Sequence, residues 1–278
     1  DGDSLTAPAP DFGGTMFRDQ LVRESDQLAD LKDRYLMSHG TAKSELRSEV
    51  EAHEQELADL FRDQPAPESA LDWRIAFPEV FTEGGFDVVL ANPPYVRQEL
   101  IGPVKPTLLA LYPDATTGKS DLYCYFYARG LQLLRPGGQH VFICSNSWLD
   151  VGYGGKLQGY LLDRAHVRAI YDSAVERQFA TADINTIISH LERASGTADQ
   201  WQAADPLTRF VYLKAPFQEA LAHLELRREV TRLQSQLRDA GLGKPNRSGL
   251  RKYTGDKWGG KYLRAPDIYW RILEKAGD

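Results

Sequence analysis

Phe86-Asp87-Val88-Val89-Leu90-Ala91-Asn92-Pro93-Pro94-Tyr95 is the stretch on which the fold of this 278-residue chain turns. Phe86 and Val88 to Ala91 are apolar, with β-branched and aromatic types prominent, which predicts a buried strand over 86–91. The strand must stop at Asn92. A residue that precedes proline is driven out of the helical region, and two successive prolines offer no N–H to a sheet ladder. A side-chain amide, a stiff dipeptide and an aromatic ring therefore stand together at the carboxyl end of a strand. In open α/β sheets that is the end at which ligands bind.

The chemistry open to such a tip is narrow. The Asn92 side-chain oxygen and the Pro93 main-chain carbonyl can both accept from one exocyclic NH2 group. That draws the nitrogen lone pair out of conjugation and aims it at an electrophile. Pro93 and Pro94 hold the acceptors still, so little reorganisation accompanies the positive charge that develops on nitrogen. Tyr95 offers a flat face to a planar base. The stretch predicts methylation of an amino or amide nitrogen.

Asn92-Pro93-Pro94-Tyr95 behind a hydrophobic strand resembles the catalytic motif of N6-adenine-specific DNA methyltransferases, which use S-adenosylmethionine and flip adenine out of the duplex. The likeness extends upstream. Trp73, Phe77-Pro78-Glu79-Val80-Phe81 and Phe86-Asp87-Val88 stand in the order found in large single-chain restriction–modification (type IIG and BREX-like) enzymes. The resemblance implies an α/β, Rossmann-like S-adenosylmethionine-dependent methyltransferase. This chain would carry the carboxyl-side half of the sheet, an inserted helical hairpin and a helical C-terminal extension. The glycine-rich cofactor loop would precede Asp1, and most of the target recognition domain would follow Asp278. The isolated chain is then expected to bind cofactor weakly.

The same resemblance implies roles residue by residue. Asn92 and Pro93 accept from the target amino group, Pro94 fixes the tip, and Tyr95 with Phe179 stacks on the flipped base. Asp3, in Gly2-Asp3-Ser4-Leu5, bonds the amino group of the cofactor's adenine, Phe126 packs against that adenine, and Asn92 borders the cofactor. Double-stranded DNA is the implied partner, together with the upstream and downstream parts of the parent chain. A nuclease or other subunits of a restriction–modification or phage-defence system also follow from resemblance alone. Two other readings stay open. A protein glutamine or RNA guanine N-methyltransferase uses the same tetrapeptide on other planar NH2 substrates. A non-catalytic fragment that docks DNA or a partner would need no cofactor loop.

Composition sets outer limits. Hydrophobic content of 42% and charged content of 26% are ordinary for a globular protein. Cys124 and Cys144 both sit in apolar runs, which predicts buried free thiols in a reducing cytoplasm. No apolar run is long enough to span a bilayer, so no membrane partner is expected. The net charge of −6 is unevenly spread. Lys244, Arg247, Arg251, Lys252, Lys257, Lys261 and Arg264 cluster against Asp256 alone, so Lys252, Lys257 and Lys261 are the expected contacts to the DNA backbone.

Four segments are expected. Residues 1–13 end the cofactor-binding half and form a linker. Residues 14–66 form the helical hairpin, with Leu21, Leu28, Leu31 and Tyr35 facing Leu46, Val50, Leu57 and Leu60 across a break at Ser38-His39-Gly40-Thr41. His39 and His53 are expected to be solvated. Residues 67–205 form the catalytic core: the strand at 86–91, a polar loop over 96–120 that could close over a flipped base, and a helix from Asp121 to Leu134. Arg135-Pro136-Gly137-Gly138 would stop that helix before a strand over 139–144. A helix over 157–164, a strand over 167–171 and a late strand around 184–189 follow. Residues 206–278 are expected as a helical and basic linker, with a strand over 210–213 and a charged helix over 217–240. Leu149-Asp150-Val151-Gly152-Tyr153-Gly154-Gly155 imitates a cofactor-cradling loop of a circularly permuted enzyme, with Asp172 as its acid; a lone glycine pattern is weak, and the non-permuted order is preferred. No metal-spaced cluster is evident.

Overall fold

A computed structural model describes residues 3–10, 18–61, 70–173, 185–196, 200 and 203–276. The chain divides into two compact units, residues 1–87 with 132–136, and residues 88–131 with 137–278.

The first unit contains the expected hairpin, α1 (Arg18–Met37) and α2 (Thr41–Leu60). Leu21, Leu28 and Leu57 are buried, as their spacing predicts. Leu60 departs from the pattern, being exposed, and Phe61 is buried in its place. Lys32 ties the hairpin to its own unit, donating to the Ile75 carbonyl at 2.6 Å and pairing with Glu54 at 3.0 Å. His53 is not solvated as expected. Its Nε2 lies 3.2 Å from Glu24 and its Nδ1 3.4 Å from Glu56. These three form a group that could hold a metal ion, and no metal site had been expected. The carboxylates approach opposite ring nitrogens, however, which is the geometry of a bridging imidazole rather than of one shared ion.

Two short helices, α3 (Trp73–Ala76) and α4 (Pro78–Thr82), lead into strand β1 (Phe86–Ala91). Trp73, Phe77 and Phe81 surround Phe86 with ring centroids 5.5 to 6.2 Å away, all three edge-on with interplanar angles of 70° to 88°. The aromatic residues upstream of the motif thus anchor the start of the strand. Arg74 is buried beneath them, donating to Asp72 through Nε and Nη2 with its guanidinium 3.8 Å from the Phe61 ring centroid. Gly85 has φ +123°, and a Cβ there would lie 2.6 Å from the Leu133 carbonyl, so only glycine allows this turn into β1.

The sheet has six strands among the described residues, in the order β1-β2-β4-β3-β5-β6. The others are β2 (Leu134–Ser145), β3 (Ala165–Ser173), β4 (Thr186–Arg193), β5 (Leu207–Leu213) and β6 (Arg227–Leu233). β4 runs antiparallel to both β2 and β3, β3 is parallel to β5, and β5 is antiparallel to β6. The helices of this part are α5 (Lys105–Leu111), α6 (Leu122–Leu133), α7 (Gly154–Arg164), α8 (Phe217–Ala222), α9 (Gln234–Ala240) and α10 (Asp267–Ala276). None of the helices searched is long and apolar enough to cross a membrane. Cys124 and Cys144 are free and buried, as expected.

Four expectations need correction. Among the described residues β1 lies at the edge of the sheet and is not buried, with Val88 50% and Leu90 69% exposed. β2 begins at Leu134, so Pro136-Gly137-Gly138 lies within the strand rather than ahead of it; Gly137, at φ +79°, supplies the irregularity. Residues 96–120 are not a plain polar loop. They include α5, and Ile101, Leu108, Tyr112 and Ala115 are buried. The charged helix over 217–240 is replaced by α8, β6 and α9, so the carboxyl extension is not helical throughout. Arg227-Arg228-Glu229-Val230-Thr231-Arg232-Leu233 contains good helix formers, but Val230 pairs with Phe210 across the sheet and Glu229 holds Arg209 at 2.7 Å. Tertiary pairing overrides propensity there.

His140 lies in β2, fully buried, with its ring 3.8 Å from the Phe142 ring centroid and 5.2 Å from that of Tyr127. Neither ring nitrogen has a hydrogen-bond partner. Burial pushes its pKa down from 6.5 to about 3. The folded state therefore holds the ring neutral where the unfolded chain protonates it. Its contribution to stability is intact above pH 6.5 and is lost as pH falls toward 3, by up to about 1.4 kcal/mol per pH unit. Denaturant unfolding followed from pH 7 to pH 4 should show this slope, and His140→Leu should remove this component of it.

Candidate active site

β1 ends at Ala91, and Asn92 and Pro94 are exposed while Pro93 is buried and Tyr95 half-buried. The motif is therefore anchored by one proline and presents its amide outward. The Tyr95 hydroxyl donates to Asn92 Oδ1 at 2.6 Å, and the Ile143 carbonyl of β2 is a weaker acceptor at 3.4 Å. Burial, with a smaller contribution from Cys144, pushes the Tyr95 hydroxyl up to about 12, so it remains a neutral donor. The amide oxygen singled out by its chemistry thus already accepts one hydrogen bond and keeps a second lone pair. The signal for this bond was the choice of tyrosine, whose hydroxyl serves no purpose in stacking.

The chain after the motif is clamped to the start of α6. The Leu122 N–H donates to the Val96 carbonyl at 3.0 Å, and the Gln98 N–H to Asp121 Oδ1 at 2.9 Å. Asp121 Oδ2 accepts from the Tyr153 hydroxyl at 2.8 Å, which in turn lies 2.8 Å from the Tyr123 hydroxyl. Burial, first among the causes, pushes both phenols well above their ordinary range, so this array holds its protons. Beside it is a cavity of about 240 Å³. Its walls are Tyr95 and Arg97 after β1, Asp121 and Tyr123 at α6, Ser145 to Ser147 after β2, and Asn185 before β4. That volume is below the roughly 300–1,000 Å³ of sites for drug-sized ligands, and suits a single planar group. Sequence reasoning singled out only Tyr95 from this wall. The others converge from four separate elements.

Phe179, the expected second stacking residue, lies outside the described residues. Phe126 is half-buried on α6, whereas Tyr123, Cys124, Tyr125 and Tyr127 around it are buried. Asp3, in the other unit, is exposed; its carboxylate accepts from the Leu5 N–H at 2.9 Å and the Thr6 hydroxyl at 3.1 Å.

The basic stretch is partly committed inside the fold. Lys252 is exposed, as are Lys244 and Arg247. Lys257 donates to the Asp150 carbonyl, and Lys261 pairs with Asp256 at 3.3 Å. Arg264 joins Asp150 and Asp172, the latter at 2.8 Å. These contacts also dispose of the permuted reading. Asp172 is held by an arginine, and Gly154 and Gly155 are packed against main chain rather than open to a cofactor. A Cβ at Gly155 would lie 2.2 Å from the Thr254 carbonyl, and one at Gly154 would lie 1.8 Å from that of Trp148.

Residues 22–179, more than half of the chain, match the family model described as Eco57I restriction-modification methylase. The chain belongs to that family. Among similar curated proteins is the type II methyltransferase M.PaeR7I of Pseudomonas aeruginosa, 40% identical over 93 residues, which are 32% of this chain and 16% of that protein. Another is the adenine-specific methyltransferase BrxX of Escherichia coli O9:H4 (strain HS), 33% identical over 79 residues, 28% of this chain and 6% of that protein. The matches thus span less than a fifth of these relatives. A modification subunit of a putative type I restriction enzyme from Vibrio vulnificus YJ016 aligns over 70% of this chain and 40% of its own, with 16% identity and a TM-score of 0.45. In this member of the Eco57I family the Asn92-Pro93-Pro94-Tyr95 tip at the end of β1, with the neighbouring cavity, is the candidate site.

The packing at α7 gives a direct test. Gly155→Ala should destabilise the chain by about 1–3 kcal/mol through overpacking. Gly152→Ala, with nothing within 4 Å of the added carbon, should be near neutral. Equilibrium denaturation of the two variants checks this; equal stability would return the glycine run to a binding role.

Proposed function

We propose that this chain carries the catalytic core of an S-adenosylmethionine-dependent DNA methyltransferase that modifies adenine N6 in duplex DNA, within a restriction–modification or related defence system. The observation that carries the reading is the exposed Asn92 amide at the end of β1, joined by hydrogen bond to the tyrosine that walls a base-sized cavity. Family membership and the adenine-specific relative support the same substrate.

A flipped adenine would stack on Tyr95, with Phe179 as the second face of the clamp. Its amino group donates to Asn92 Oδ1 and the Pro93 carbonyl. Both acceptors are held in place before reaction, so the charge that develops on nitrogen is met without reorganisation. S-adenosylmethionine, when bound, would supply an electrophilic methyl group to the nitrogen that Asn92 and Pro93 orient. The amino nitrogen then releases one proton to solvent, so no general base is required beforehand. The half-open Phe126 ring fits an adenine face of the cofactor, and the Asp3 carboxylate has acceptor capacity left for an amino group. Lys252, with Lys244 and Arg247, is free to meet DNA phosphates, whereas Lys257 and Lys261 would have to exchange internal partners to do so. A reducing cytoplasm suits the two free thiols.

The full-length protein that contains this chain provides the test. Asn92→Ala should lower N6-methyladenine formation at least 100-fold, the loss expected for one preorganised acceptor (~10²–10³). Tyr95→Phe keeps the stacking face and should stay within about tenfold, while Tyr95→Ala should fall further, because stacking is worth about 1–3 kcal/mol per base. Mass spectrometry of the DNA product checks all three. Modification at the wild-type rate by Asn92→Ala would end this reading.

A further inference from the structure

The cavity beside Tyr95 holds two amides that the reaction as described leaves without a task. Asn146 follows β2 and Asn185 precedes β4, and the two are tied main chain to main chain, the Asn146 N–H donating to the Asn185 carbonyl at 3.0 Å. Both residues line the cavity. Among the described residues neither side-chain amide is taken up by a hydrogen bond.

Most of the remaining polar groups of the wall have partners of their own. The Ser145 hydroxyl donates to that of Ser147 at 3.0 Å and accepts from the Ser147 N–H at 3.3 Å, so these serines order the turn. Asp121 is an acceptor with both oxygens engaged, and the Tyr123 hydroxyl is held by Tyr153. Arg97 is exposed. The two amide NH2 groups are the donors of the wall whose spacing is fixed by a main-chain bond; the Ser147 O–H and the Arg97 guanidinium also line it.

A base stacked on Tyr95, which lines the cavity and bonds Asn92, would turn its ring edge to this wall. Adenine presents a ring nitrogen on each side of that amino group, N1 and N7, and both accept hydrogen bonds. Cytosine presents one nitrogen and one C–H. A pair of amide donors is therefore complementary to adenine, and a cytosine there leaves one of the two unpaired. Resting on the reading of this site as an adenine methyltransferase, we propose that Asn146 and Asn185 read the edge of the flipped base, their amides donating to N1 and N7. They are specificity-determining residues. The main-chain bond between them fixes their spacing, and β4, antiparallel between β2 and β3, is what brings Asn185 to Asn146.

The test uses the full-length protein and duplexes that carry adenine, 1-deazaadenine or 7-deazaadenine at the target position. The analogues keep the amino group and remove one ring acceptor each. The wild-type protein should lose between about 5- and 100-fold in kcat/KM on each analogue. Asn146→Ala and Asn185→Ala should each lose a similar factor on adenine, and each should become indifferent to one of the two analogues. Wild-type rates within twofold on all three duplexes, or variants that keep both analogue penalties, would overturn the assignment. Because the analogue series is run on the unaltered protein, a variant that fails to fold does not blunt it. A wild-type protein that transfers no methyl group to the adenine duplex would overturn the parent reading first.

Discussion

Pro93 and Pro94 have no main-chain N–H, and that deficiency ends β1 at Ala91 and places Asn92 and Tyr95 at the end of the strand. The surroundings serve this ending. Upstream, Trp73, Phe77 and Phe81 grip Phe86, and Gly85 gives the turn that brings the chain in. Downstream, Val96 and Gln98 are fastened to the first residues of α6. The amide is held between two fixed points rather than carried on a mobile loop, which is the condition for an acceptor that does not have to reorganise.

The bond from Tyr95 to Asn92 refines that picture. It leaves the amide oriented before any substrate arrives, since its oxygen is bound and its second lone pair remains. On the proposed reading an incoming amino group would either share the oxygen or displace the hydroxyl toward the Ile143 carbonyl, which already lies 3.4 Å away. Exchanging one neutral hydrogen bond for another costs little, because the net value of each is about 1 kcal/mol. The tyrosine can thus order the empty site without closing it.

Charge in the carboxyl part of the chain serves structure as much as binding. Arg264 joins Asp150 to Asp172, and the Gly260 N–H adds a bond of 2.8 Å to Asp150. Gln158 accepts from the Tyr253 hydroxyl and the Asp256 N–H, and donates to the Asp256 carbonyl. Residues 253–264 are in this way strapped across α7 and the end of β3. Asp172 is pushed up in pKa by burial despite its arginine, so the pair offsets its desolvation only in part. Its value lies in fixing where the strap sits, and the exposed Lys244, Arg247 and Lys252 just before it are presented from a fixed base.

The tetrapeptide at 92–95, the strand before it, the helical hairpin and the helix–strand alternation through 122–171 could all be read from residue order. Each depends on local chemistry: prolines without donors, apolar periodicity, glycines at turns. The exposure of β1, the extension of the sheet by β6, and the fate of the glycine run at 152–155 could not. They depend on which segments lie side by side, and residues such as Arg227 to Leu233 form a strand only because β5 offers a partner. The same holds for the cavity. Sequence alone determined the tip at 92–95 that ends the strand, because two prolines act within a few bonds. Only the tertiary structure decided which side chains face it, because Asp121, Asn146 and Asn185 are brought together by the ends of elements that lie far apart along the chain.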